Sequence, residues 1–200
     1  LKQIKSSFVQ QAVADKRWAF VADYVRLYVL YHEGGVYFDT DVKLYHDVTG
    51  ILNEAEVVIP TQSSVATGYN LMSAVIAAVP RHPYIKQCLD YNTYLNYDPA
   101  NFRKLVINPI MSRILHDNWG YKYENICQTL PDGIKILDRT YFESSFDITD
   151  GKYSKFYGVH FCNQSWVPSN RGFLYRFCKS NDLMGLYELI SKCMTVLHST

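Results

Sequence analysis

The sequence predicts an α/β fold, a mixed sheet flanked by helices, in one domain over residues 1–200. Three observations carry that expectation. Segments with helical periodicity alternate with short β-branched and aromatic runs. Glycine and proline stand at their borders. The 200 residues are 48% hydrophobic, enough for one sizeable core.

Taken in order, Phe8 to Lys16 reads as a short amphipathic helix. Trp18 to Glu33 reads as a long helix, apolar around most of its circumference (Trp18, Val21, Ala22, Val25, Leu27, Val29, Leu30), and is therefore expected to be buried. Gly34-Gly35 stops it, because glycine takes left-handed backbone conformations at little cost. Val36-Tyr37-Phe38 then reads as a strand leading into Asp39-Thr40-Asp41. Further strands are expected at Glu56 to Pro60, Met72 to Val79, Ile134 to Leu137 and Tyr157 to Phe161. Helices are expected at Pro83 to Leu95, at Pro109 to Trp119 with proline early, and at Leu183 to Leu197.

Composition excludes some classes of partner. The net charge is +1 and the 20 basic residues are scattered, so no stripe invites nucleic acid. Seventeen tyrosines suit ligands that offer both hydroxyls and apolar faces, as sugars do, although packing explains most tyrosines equally well. The 5 cysteines are odd in number and form no CxxC pair, which points to a reducing compartment, the cytoplasm. No apolar run reaches the roughly 18 residues of a membrane span.

The residues with chemistry fall in three places. Asp39 and Asp41, two apart in extended chain, point the same way at the end of a strand, where α/β folds place ligands. Two carboxylates held close are unfavourable unless a cation joins them. Mg²⁺ or Mn²⁺ takes carboxylate and phosphate oxygens together. Asp23 and Arg26, three apart on one helical face, interrupt an apolar helix. They are either its wet side, a structural ion pair, or part of a polar cleft beside Asp39 and Asp41. Far along the chain, His160 sits on an expected strand with Ser165-Trp166 on the loop after it. Imidazole can ligate a metal, and an indole N–H suits a phosphate oxygen.

The segment Ala19-Phe20-Val21-Ala22-Asp23-Tyr24-Val25-Arg26-Leu27, followed by Leu30 to Val42 with Gly34-Gly35-Val36-Tyr37-Phe38-Asp39-Thr40-Asp41, resembles the glycosyltransferases with a DXD sugar-binding region. That group includes yeast initiating mannosyltransferases and bacterial capsular-polysaccharide transferases, with the clostridial glucosylating toxins as more distant relatives. The resemblance spans about residues 8 to 166. It implies a GT-A fold, a divalent cation (Mn²⁺ or Mg²⁺) and transfer with anomeric retention. It matches Asp23, Arg26 and Tyr37 to donor contacts, Asp39 to ribose and sugar, and Asp41 to direct metal ligation. Asn70 matches a polar residue beside the reacting sugar. His160 and Ser165 match the far side of the metal site, and Trp166 the indole that closes over the diphosphate.

The partners so implied are a UDP- or GDP-sugar donor and a glycan acceptor, in surface polysaccharide synthesis, with peripheral membrane association, or a Golgi-lumen location if the protein is eukaryotic. A catalytically inactive glycan- or protein-binding module of the same fold is the alternative. Phosphatases with an aspartate nucleophile in DxD fit poorly, because Val42-Lys43 follow Asp41 and no Asp-Asp pair occurs. Two departures stand out: Ala22 occupies a position where the family commonly has Ser, and the family's N-terminal strand is not matched. A natural protein extending upstream of Leu1, with the sheet otherwise open at an edge, is the corresponding expectation.

Overall fold

The computed structural model describes residues 6–145, 148 and 151–162, all within one compact unit, Leu1–Cys162. The elements in order are α1 (Ser7–Ala14), α2 (Trp18–Glu33), β1 (Gly35–Phe38), β2 (Val42–Leu44), α3 (Thr49–Leu52), β3 (Val57–Ser64), β4 (Gly68–Leu71), β5 (Val75–Ala78), α4 (Pro83–Thr93), α5 (Ile107–Trp119), β6 (Gln128–Leu130), β7 (Ile134–Leu137), β8 (Phe142–Ser144) and β9 (Gly158–His160). The expected helix at Leu183 to Leu197 lies outside the described residues.

The architecture is the expected mixed sheet with helices. Six strands form the larger sheet, in the order β1-β5-β3-β7-β6, with β4 paired to the later half of β3. Its pairs are antiparallel except β3 with β7. A smaller sheet of order β2-β9-β8 lies beside it. Strand alternation splits the interior in two. Val57 and Ile59 of β3, Ile76 of β5 and Ile134 and Ile136 of β7 join the helices in the main core. Val58, Val75, Ala77 and Leu137 face the other way, onto Leu52, Met72 and Phe142. The large sheet thus carries helices on one face and α3 with the small sheet on the other.

Several boundaries differ from expectation, each for a local reason. α1 stops at Ala14, because Lys16 takes a positive φ of 55° and the Arg17 N–H turns back to the Ala12 carbonyl. The strand expected over Met72 to Val79 is shortened to β5, Val75–Ala78: residues 72–74 form a turn that joins it to β4, a strand that was not expected. α5 begins at Ile107, so Pro109 is its third residue, still among the N–H groups that lack a helical partner. Short strands β2, β6 and β8, of 3 residues each, carry too little periodicity to be read from sequence.

α2 runs over the expected residues and ends at Gly34, with φ 70° and ψ −161°, a region open only to glycine. A Cβ there would lie 2.7 Å from Pro80 Cδ. Its expected burial all round is only half met. Phe20, Leu27 and Leu30 are buried, whereas Trp18 is 58% exposed and Val29 45%. Among the described residues no helix is long and apolar enough to cross a membrane.

Candidate active site

α2, β1 and β9 converge at the carboxyl end of β1. Of the three readings of Asp23 and Arg26, the wet side of the helix is excluded, since both are buried. Arg26 is the hub. Its Nη2 lies 2.8 Å from Asp23 Oδ1 and 3.2 Å from Asp39 Oδ1. Its Nη1 donates to the Ser73 carbonyl at 2.7 Å and reaches Ser73 Oγ at 3.3 Å. Its guanidinium carbon sits 4.5 Å over the Tyr37 ring. Few side chains but arginine could serve so many acceptors from one buried position.

Tyr37 and Asp39 are two apart on the same side of the chain, as expected for a strand, and the Tyr37 hydroxyl donates to Asp39 Oδ1 at 2.6 Å. Burial, opposed by Arg26 and reinforced by the bond to Asp39, pushes the phenol above its ordinary value, so it stays a donor. Asp39 and Asp41 are brought together differently from the expectation. β1 ends at Phe38, and the Val42 N–H donates to the Asp39 carbonyl at 3.0 Å, closing a turn. The carboxylates therefore converge through a turn rather than through strand alternation.

His160 completes the group. β9 pairs antiparallel with β2 so that His160 stands opposite Val42, the residue after Asp41. Its Nε2 lies 3.2 Å from Asp41 Oδ1 and 3.8 Å from Asp39 Oδ2. Ligand atoms of Asp39, Asp41 and His160 all fall within 4.8 Å of one another. Burial pulls the imidazole pKa down, but Asp41 and Cys162 outweigh it and the value rises to about 10. The two carboxylates thus favour positive charge at this point, as a proton on the imidazole or as a cation that displaces it. Asp39 links the two halves: Oδ1 faces Arg26 and Tyr37, while Oδ2 faces His160.

Asp23 is under the opposite pressure. Burial raises its carboxyl, Arg26 lowers it and Asp39 raises it, with the net value near 6. Burial would lower the Arg26 value, but Asp23 and Asp39 raise it, so the guanidinium stays charged.

Of the other expected site residues, Asn70 is buried on β4, and its side chain bonds Thr67 Oγ1 at 3.0 Å and Ser64 Oγ at 3.0 Å on its own hairpin rather than the Arg26 cluster. Ser165 and Trp166 lie outside the described residues. Ser73 was missed. The only signal for it was a polar residue inside the apolar run Leu71 to Ala78. The turn at residues 72–74 is what aims its carbonyl at Arg26. Asn108 Oδ1 at the start of α5 accepts from the Ser73 N–H at 3.4 Å, and the Ala74 carbonyl accepts from the Asp39 N–H at 2.9 Å.

Over part of its length the chain is similar to known proteins. The family described as "Glycosyltransferase sugar-binding region containing DXD motif" matches residues 1–58. Asp23, Arg26, Tyr37, Asp39 and Asp41 all fall within that match. The chain is 31% identical over 75 residues to inositol phosphoceramide mannosyltransferase 1 of Schizosaccharomyces pombe, a match covering 38% of this chain and 22% of the relative. Among solved structures, PaToxG glycosyltransferase is similar at 24% identity with a TM-score of 0.45, over 58% of this chain and 41% of that one.

Proposed function

We propose that this chain is the donor-binding part of a retaining, GT-A-type glycosyltransferase that moves a sugar from a nucleotide-diphosphate donor to a hydroxyl acceptor, with a divalent cation. The observation that carries the reading is the convergence of Asp39, Asp41 and His160 on one small volume, backed by the buried Asp23–Arg26 pair. Two carboxylates and an imidazole are a fitting donor set for Mn²⁺ or Mg²⁺. Asp41 and His160, with Asp39, would hold the ion. When bound, it neutralises charge on the diphosphate leaving group.

The protein's own groups do the rest. Asp23 accepts hydrogen bonds from sugar hydroxyls, and Arg26 holds that carboxylate and Asp39 in place. Tyr37, a donor to Asp39, orients the carboxylate toward the ribose and sugar. By the family resemblance alone, Ser165 and Trp166 close over the diphosphate and exclude water, which protects the donor from hydrolysis. Asn70, by the same resemblance, stands near the reacting sugar. The name of the fission-yeast relative puts mannose first among donor sugars to test. A glycan of a surface polysaccharide is the acceptor class, and a peripheral membrane location suits it.

The decisive experiment is Asp41→Asn, assayed for donor hydrolysis with GDP- and UDP-sugars in Mn²⁺ and in chelator. The substitution keeps the shape and removes the charge. Loss of a main metal contact is expected to slow turnover on the order of a thousandfold, about 4 kcal/mol. Unaltered Mn²⁺-dependent turnover would show that the ion sits elsewhere.

A further inference from the structure

The two nitrogens of His160 face different surroundings. Nε2 faces the carboxylates, while Nδ1 lies 3.4 Å from Cys162 Sγ. That sulfur in turn lies 3.0 Å from Ser144 Oγ and 3.6 Å from the His160 carbonyl. The contact is built by the fold. β8 and β9 run parallel with Ser144 in register with His160. Immediately after β9, Cys162 takes a positive φ of 49°. That left-handed turn, uncommon for a residue with a Cβ, folds the chain back and returns the thiol to the ring two residues before it.

We propose that Cys162, backed by Ser144, is the positioning residue that fixes the ring orientation and tautomer of His160. This inference rests on the metal-centre reading above. For Nε2 to offer its lone pair to a cation, the ring proton must sit on Nδ1 and needs an acceptor. Among the described residues, Cys162 Sγ is the acceptor within reach. The thiol proton then points to Ser144 Oγ or to the His160 carbonyl, so the relay runs from Nδ1–H to Sγ–H to oxygen without an unmatched donor. Ligating histidines commonly use a carboxylate or carbonyl in this place, and removing such a partner typically weakens metal binding by 10–100-fold. Sulfur accepts more weakly, so the effect here belongs at the lower end of that range.

The test is Mn²⁺ titration of the full chain by electron paramagnetic resonance, for the parent, Cys162→Ala and Cys162→Ser, with melting temperatures alongside. Cys162→Ala is expected to bind Mn²⁺ about tenfold more weakly with its melting temperature little changed, while Cys162→Ser, which keeps an acceptor and a donor, stays close to the parent. Nitrogen-15 histidine spectra of the Mg²⁺-loaded parent are expected to show the Nδ1–H tautomer, and they carry the test should the alanine variant fail to fold. Parent-like Mn²⁺ affinity in Cys162→Ala, or a proton on Nε2 in the loaded parent, overturns the role of Cys162 and leaves the metal centre standing. A parent that binds no Mn²⁺ at all overturns the metal centre itself.

Discussion

The two faces of α2 each carry exceptions to hydrophobic sorting. Asp23 and Arg26 point inward, with side chains only 12% and 5% exposed, while Trp18 and Val29 on the same helix stand in the open. Phe20, Tyr24, Leu27 and Leu30 share that inward face, so hydrophobic sorting sets the orientation of the helix and the two charges are the exception to it. The inward charges persist because Arg26 is fully served, by Asp23, Asp39, Ser73 and the face of Tyr37. A buried ion pair of this kind is weak evidence for stability, since desolvation offsets much of the attraction. Its place at the carboxyl end of β1, beside Asp39, gives a functional reason to keep it. The lesson is that this helix is oriented by its core and carries two inward charges for its site.

The contrast is most sharply broken at Arg26. Arg26→Ala leaves the buried Asp23 and the half-buried Asp39 without their cation, and should destabilise the chain by about 3–5 kcal/mol in urea unfolding. A loss below about 1 kcal/mol would mean that the pair is wetter than its burial indicates.

The next largest effect is the opposite of what loss of an ion pair suggests. The Asp23 carboxyl sits near 6, above its ordinary 3.8, chiefly through burial. The folded state therefore holds that proton more tightly than the unfolded state does. Metal-free stability should fall as pH rises from about 4 through 6, by at most roughly 3 kcal/mol from this group. Asp23→Asn should remove that slope and be neutral or stabilising at pH 7, because Arg26 keeps Asp39, while donor turnover is lost. Parallel pH profiles for variant and parent would refute the assignment.

A smaller effect tests the other end of the site. With His160 near 10, Mn²⁺ must displace a proton at neutral pH. Affinity measured by calorimetry between pH 6.5 and 8.5 should rise, approaching tenfold per pH unit, with proton release visible in buffers of different ionisation enthalpy. The smallest effect belongs to the outer face of α2. Trp18→Ser should change stability by less than about 0.5 kcal/mol, in keeping with its exposure.

Much of this was legible in the chain. The span of α2, its stop at Gly34 and the strand into Asp39 follow from periodicity and glycine, which act over a few neighbours. Asp23, Arg26, Asp39 and Asp41 could be singled out for the same reason, as charges in or beside apolar segments within one short stretch, whereas Tyr37 was marked only by the family resemblance. The stretch after β3 was only half visible: β4 was not read, and the turn at residues 72–74 looks like the start of the apolar strand that continues as β5.

What the sequence by itself determined, then, was which short segments take which backbone form, and which charged residues break their pattern. Only the tertiary structure decided that α2 turns its charges inward, that the Ser73 carbonyl meets Arg26, and that β2 pairs with β9 to set His160 against Asp41. The physical reason is range. Helix and turn preferences are local and leave a periodic trace. Pairing between β2 and β9, three residues each and far apart in the chain, leaves none, and neither does the fold-back of Cys162 onto a ring that the same pairing has placed.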